Sequence, residues 1–372
     1  MSSLEPHIPP SGLSVPVVTI LDRQGRVLED SQRELIRFVL QDGAGADIVF
    51  AAGTTGEWDR LDNQRRQLVS RLTVEECRSA RCAKPVEAWV GITAHTRAET
   101  LENLIHAIDI GADAAVLAPL SVADMEDPVD FVTREIAQLF DRRAARIPLF
   151  LYDNADIAAP GKAPHLRTRD VKRMSQLDYV RGIKVTASKK VLGNYTRAAS
   201  HFKRSGEFAI YAGNAHLIFD LFKPPAGFTG HLRHYWNLYW TQRAMPAGVV
   251  AGGANVMPRE WRQAWQVCLA GDQPLMEMYG AVLERFRSAC TFSRASRSVR
   301  LTIACLKAAL VERGVSSSDA VAPGTPALED SERREFARRL NELAHFAASM
   351  LGPSSLSENT GPTIPSGTEQ HV

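Results

Sequence analysis

Eight short apolar runs recur along the chain, and polar or glycine-bearing segments follow them. The runs are Val15 to Leu21, Asp47 to Ala52, Val86 to Ile92, Ala114 to Pro119, Ile147 to Asp153, Val180 to Val185, Phe208 to Ala212 and Ala247 to Ala251. Helical spacing separates the first seven: to Leu40 with Asp30 and Ser31 as caps, Asn63 to Arg81, Ala98 to Ile110, Pro128 to Phe140, Thr168 to Gln176 and Ser188 to Lys203. Strands buried on both faces read as nearly continuous apolar runs, and alternation with helices indicates parallel βαβ units. Eight such units in roughly 250 residues predict an α/β fold of the closed (β/α)₈ (TIM) barrel type. An open doubly wound sheet is the alternative. It is weakened by the absence of a Gly-x-Gly-x-x-Gly turn after the first strand.

The barrel is expected over residues 13–271, after a loose Pro/Ser-rich arm at 1–12. Helices at about Arg259 to Leu269, Pro274 to Cys290, Val299 to Glu312 and Ser331 to Met350 predict a C-terminal helical extension, placed at 272–351. The Ser/Pro/Thr/Gly-rich stretch 352–372 reads as disordered. Between the last two strands, Phe222 to Met245 is long and rich in aromatics, and fits a lid, an oligomer contact or simply a longer barrel helix.

Acidic and basic residues are intermixed at a net charge of +2, with no basic stripe, so nucleic acid is not an expected partner. No apolar run is long enough to span a membrane, and the N-terminus lacks the basic start and apolar core of a signal peptide. Five cysteines at irregular spacing fit reduced thiols, and a cytoplasmic location is expected. Cys77 and Cys82 lack a partner pair, and His231 and His234 lack a carboxylate cluster, so no metal is expected.

The sixth run, within Asp178-Tyr-Val-Arg-Gly-Ile-Lys-Val-Thr-Ala-Ser188, ends by presenting Lys184. Alternation along a strand places Val180, Gly182 and Lys184 on one face. Lys184 then either caps the strand with its head in water or is a buried amine. Burial disfavours the charged form, and such an amine is a nucleophile able to form a Schiff base with a carbonyl. Three other signals sit after strands: Gly53-Thr54-Thr55-Gly56-Glu57 after the second, Tyr152 at the end of the fifth, and Gly252-Gly253-Ala254-Asn255 after the eighth. Taken singly they are a tight turn, a half-buried aromatic and a loop. In a (β/α)₈ barrel they gather at the C-terminal face, where barrel enzymes place their chemistry.

In order and spacing these elements resemble the dihydrodipicolinate synthase and N-acetylneuraminate lyase family of class I, Schiff-base-forming pyruvate aldolases, from about Leu13 to Glu312. The resemblance implies Lys184 as the Schiff-base lysine and Tyr152 as the proton-shuttling phenol. It also implies Thr54 and Thr55 at the carboxylate of a 2-oxo acid, with Gly53 and Gly252 as further substrate-binding residues. It implies no metal and no organic cofactor, and a homo-oligomer, dimer or tetramer. Two departures bear on the substrate. Leu120 and Ser121 stand where dihydrodipicolinate synthases carry two tyrosines, and Ile157 stands where they carry an arginine. Trp58 after the turn is more like the sugar-acid aldolases and dehydratases. Lys189 and Lys190 read as helix surface or as neighbours of an acidic substrate.

The expected reaction is cleavage, or formation, of a 2-keto-3-deoxy sugar acid with release of pyruvate and an aldehyde. The alternatives are a dehydratase acting on a keto-deoxy sugar acid, a dihydrodipicolinate synthase-like condensation, and a barrel that senses a 2-oxo acid without turnover.

Overall fold

The computed structural model describes residues 7–352, apart from 204–205, 224, 226 and 237–243, together with residue 356. Eight parallel strands close into a barrel in sequence order. They are β1 (Gly12–Pro16), β2 (Ile48–Ala51), β3 (Glu87–Gly91), β4 (Ala114–Leu117), β5 (Leu149–Asn154), β6 (Val180–Thr186), β7 (Ala209–Ala212) and β8 (Gly248–Val250). β8 pairs with β1 at Leu13 opposite Val249, which completes the ring. Helices cover the outside, including Glu29–Leu40, Asn63–Ser79, Arg97–Asp109, Thr168–Ser175 and Lys189–Ala198. The helix over 128–143 runs through a π-helical stretch, Phe131–Ile136.

Two apolar layers follow from strand alternation. Val15, Val49, Val90, Leu151, Ile183 and Val185 face the helices, whereas Phe50, Trp89, Val116, Phe150, Tyr152 and Tyr211 fill the interior. Trp89 stacks on Phe150 with ring centroids 4.0 Å apart. Small residues make room for these rings. A Cβ on Gly182 would lie 2.7 Å from the Phe150 ring, and one on Gly248 would lie 2.8 Å from the Tyr211 ring.

The first strand stops sooner than its apolar run predicts. Beyond Pro16 two side-chain amides take over the backbone hydrogen bonding. Asn255 Oδ1 accepts from the Val18 amide at 3.0 Å, and Gln32 accepts from Ile20 at 2.8 Å and donates to the Val18 carbonyl at 3.1 Å. The next helix begins at Glu29 with no side-chain cap, so Asp30 and Ser31 are not its caps.

A second correction concerns β6. Leu149 lies opposite Val180 but Phe150 lies opposite Gly182, so the register slips by one residue at Arg181. That bulge turns Val180 outward with Ile183 and Val185, while Gly182 and Lys184 face the interior.

Part of the expected loose arm is packed, around an exposed Ile8. His7 contacts Glu87 at 3.1 Å, and the Pro10 carbonyl accepts from Tyr211 Oη at 2.5 Å. Residues 1–6, and the expected disordered tail apart from 352 and 356, lie outside the described residues. Short helix Leu217–Leu221 precedes the 222–245 segment, within which helix Gly227–Tyr235 is described and the side chains of His231 and His234 are not.

After the barrel come helices Pro258–Ala270, Gln273–Ala289, Thr302–Glu312 and Asp330–Leu351. Between the second and third of these an unpredicted hairpin forms, β9 (Thr291–Arg294) with β10 (Arg297–Arg300), so Val299 and Arg300 belong to a strand rather than a helix. Its two central residues, Ala295 and Ser296, both have positive φ, 46° and 62°. Such turns usually announce themselves through Asn or Gly, and neither is present here. Among the described residues no helix is long and apolar enough to cross a membrane.

Candidate active site

β5 and β6 place Tyr152 directly opposite Lys184, and β7 places Tyr211 on the other side of the lysine. Lys184 is 6% exposed and Tyr152 5%. The amine does not snorkel to water. Nζ sits 3.9 Å from the centroid of the Tyr152 ring and 4.9 Å from that of Phe50, so aromatic faces replace a carboxylate partner. Burial pulls the Lys184 pKa below the ordinary lysine value, against the opposing effect of the Tyr152 oxygen. For Tyr152 burial pushes the phenol up, but the charge of Lys184 and hydrogen bonds from Thr186, Thr54 and Asn154 outweigh it, and its pKa falls.

Those three groups ring the phenol oxygen. Asn154 Nδ2 donates at 3.1 Å, Thr186 Oγ1 donates at 3.4 Å, and the Thr54 hydroxyl lies 3.3 Å away. Thr54 belongs to a 3₁₀ turn, Thr54–Gly56, that follows β2. Its own bonds are donated by Gly56 to Gly53 O at 2.9 Å and by Glu57 to Thr54 O at 3.1 Å. The amides of Thr54 and Thr55 stand at its start, where a short helix leaves donors for an outside acceptor. Gly53 packs on Phe50, since a Cβ there would come within 2.8 Å of that ring. Gly252 borders the same turn: a Cβ on it would lie 3.5 Å from Thr55 Oγ1. All six predicted site residues therefore gather at the C-terminal mouth of the barrel.

A cleft of about 700 Å³ adjoins this centre. Its walls include Thr186 from β6, Asp156 and His165 after β5, Gly252 and Gly253 after β8, and Arg287 and Arg300 from the C-terminal elements. The β8 loop is held by Asn255, which is fully buried and donates to Pro16 O and Gly252 O, each at 2.8 Å. Lys189 and Lys190 are exposed on their helix.

Several groups here were not singled out from sequence. Thr186 lies two residues past Lys184, so strand alternation already carried that signal. Asn154 is likewise two residues beyond Tyr152. Asp153, fully buried, accepts from the Leu166 amide at 2.9 Å, His165 Nδ1 at 2.9 Å and Tyr195 Oη at 3.0 Å. It anchors the β5 loop, and its partners are too distant in sequence to be anticipated. The fourth group is Glu57, whose carboxylate meets Lys307 Nζ at 2.5 Å with both side chains fully buried.

The closed parallel barrel, together with the family that the chain matches, makes this a lyase of the aldolase type. The chain belongs to the dihydrodipicolinate synthetase family, whose model matches residues 9–343. It is 26% identical over 276 residues to 4-hydroxy-tetrahydrodipicolinate synthase of Thioalkalivibrio sulfidiphilus, covering 73% of this chain and 80% of that protein. The fold is similar to dihydrodipicolinate synthase from Bacteroides thetaiotaomicron, with TM-score 0.72 and 21% identity over 90% of this chain and 99% of that one. It is also similar to Ruminococcus gnavus sialic acid aldolase, with TM-score 0.71 and 14% identity over 92% and 99% of the two chains. At these two identities the likeness to solved structures is one of fold.

Proposed function

We propose that Lys184 forms a Schiff base with a 2-oxo acid and that the enzyme reversibly cleaves a 2-keto-3-deoxy sugar acid to pyruvate and an aldehyde. The observation that carries this reading is the Lys184 amine, buried without a carboxylate and 3.9 Å from the Tyr152 ring. The neutral amine attacks the keto carbon, and the Tyr152 phenol gives its proton to the departing hydroxyl. Water leaves, a protonated imine that withdraws electrons remains, and Tyr152 becomes a phenolate. Tyr152 takes the proton of the hydroxyl on C4. The C3–C4 electron pair moves into the imine to give an enamine, and the aldehyde departs. Tyr152 returns a proton to C3, and water hydrolyses the imine to pyruvate and free Lys184. The Thr54 and Thr55 amides and hydroxyls hold the substrate carboxylate, and Gly252 leaves room beside them. The lysine supplies the electron sink, so this route calls on no cofactor. A cytoplasmic homo-oligomer remains part of the proposal, to be checked by solution mass.

Ile157, which packs against the interior apolar cluster, and Leu120 with Ser121 disfavour a condensation of the dihydrodipicolinate synthase kind. The test is to incubate the enzyme with 2-keto-3-deoxy sugar acids and analyse the products. Pyruvate with a shortened aldehyde supports cleavage; an intact carbon chain that has lost water indicates a dehydratase instead. No trapping of any 2-oxo acid by borohydride would overturn both and leave the sensor reading.

Tyr152→Phe keeps the ring beneath Lys184 but removes the proton carrier. Its kcat is expected to fall about 10²–10⁴-fold. Borohydride trapping of pyruvate should persist at a reduced rate. Equal loss of trapping and turnover would show that the hydroxyl serves imine formation rather than bond cleavage.

A further inference from the structure

The cleft has a polarised outer half that the reaction centre does not use. On one side lie Asp156 and His165, the latter held by buried Asp153. Grouped elsewhere on the lining are Arg287, Arg300, His216 and Trp261, with the His216 and Trp261 rings in contact and both arginines near enough to act on His216. Arg287 is occupied by a two-pronged bond to Glu284, both contacts at 2.8 Å. Arg300, exposed at the end of β10, has no carboxylate within ion-pair distance among the described residues. Trp261 is 3% exposed, and its buried indole N–H has no acceptor among the described residues. An unmet buried donor is costly, so an orphan N–H on a cleft wall marks a place for a ligand oxygen.

Gly253 packs closely against that donor. A Cβ on Gly253 would lie 2.8 Å from Trp261 Nε1, so a larger residue at 253 would cover it. His216 packs edge-on against the Trp261 ring at 5.2 Å. Burial, opposed by Glu284 and reinforced by Arg287 and Arg300, lowers its pKa to about 4, so it is neutral at pH 7. The cleft volume falls within the range of about 300–1,000 Å³ that encloses a whole small ligand. A substrate with its carboxylate at Thr54 and Thr55 therefore extends past Gly252 and Gly253 toward an unpaired guanidinium and a free N–H.

We propose that this end of the cleft is a subsite for a second oxyanion, a carboxylate or phosphate at the far end of the 2-oxo acid, bound by Arg300 and Trp261. This rests on the Schiff-base reading and narrows its substrate class to doubly acidic compounds. Asp156, also on the lining, repels the same group and so favours the Arg300 end.

The test measures half-saturating concentrations for borohydride trapping. The panel pairs 2-oxo dicarboxylic acids of about five to eight carbons with the uncharged-tail acids of equal length, pyruvate being the reference. At least one diacid is expected to saturate at about tenfold lower concentration than its partner, the equivalent of about 1.4 kcal/mol. That ratio should collapse toward one in Arg300→Gln and shrink in Trp261→Phe. Arg297→Gln, an exposed arginine of the same hairpin that does not line the cleft, serves as the control that retains it. A 2-keto-3-deoxy sugar acid with and without a terminal phosphate distinguishes the two anions by which gains more from Arg300. A ratio near one in the wild type, or one unchanged in Arg300→Gln, overturns the subsite. Failure to trap pyruvate at all overturns the Schiff-base reading itself, so the two failures are separable.

Discussion

Lys184→Ala is expected to abolish the borohydride-stable adduct with pyruvate and to lower turnover on the order of 10⁴-fold or more, as loss of a covalent nucleophile does. In the parent, intact mass should rise by one reduced pyruvyl group, and peptide mapping should place it on Lys184. An adduct that survives in the variant would assign the chemistry to another amine. The pH dependence follows from the lowered pKa of this buried amine. The neutral fraction becomes half at the folded pKa, so the trapping rate should level off below about 10.4, the value of an ordinary lysine. A rate still climbing beyond that value would mean the amine is not desolvated.

The same shift carries a stability sign. A lysine whose folded pKa is depressed binds its proton more readily in the unfolded chain. Its burial therefore costs stability in full below the folded pKa, and the cost fades as pH rises to the unfolded value. Lys184→Met, which keeps the length and removes the amine, should be inactive yet more resistant to urea than the parent at pH 7. Lower resistance would show that the contacts of the amine with Phe50 and Tyr152 outweigh its desolvation.

Lys307→Met is expected to destabilise the protein by about 3–5 kcal/mol, because it strands the fully buried Glu57 carboxylate without its partner. Burial lowers the Lys307 pKa and Glu57 opposes that shift. The pair also clamps the site. Glu57 has a left-handed backbone, φ 60°, at the end of the Thr54–Gly56 turn, and its amide donates to Thr54 O. Its carboxylate accepts from the Ala322 amide at 2.8 Å, and Lys307 donates to Ala320 O at 2.8 Å. The C-terminal segment thereby fixes the turn proposed to hold the substrate carboxylate. Urea denaturation should show the stability loss, and half-saturation for pyruvate should rise with it. Glu57→Gln with Lys307→Met, which removes both charges, should recover most of the stability. If the double variant is no better than the single one, the stranded charge is not the source of the loss.

Much of this site could be read from the chain because barrel strands are local objects. Strand alternation puts Tyr152 and Lys184 inside, and glycine-rich turns mark strand ends. The bulge at Arg181 could not be read, since a register slip depends on the neighbouring strand and leaves no local mark. The early end of β1 was hidden for a related reason. Val17 and Val18 look like strand, but their hydrogen bonding is settled with β2 and with Asn255, far along the chain.

The sequence by itself determined the eight-fold βα alternation, the family and the identity of the six residues at the mouth, because periodicity and short motifs are set by neighbours in the chain. Tertiary structure alone decided that Lys184 is paired with an aromatic face instead of a carboxylate. It also decided that Glu57 is bound to Lys307, and that Arg300 and Trp261 border the cleft. Each of those depends on which distant groups share a volume closed to water, and burial, which sets both pKa and pairing, is a property of the packed whole.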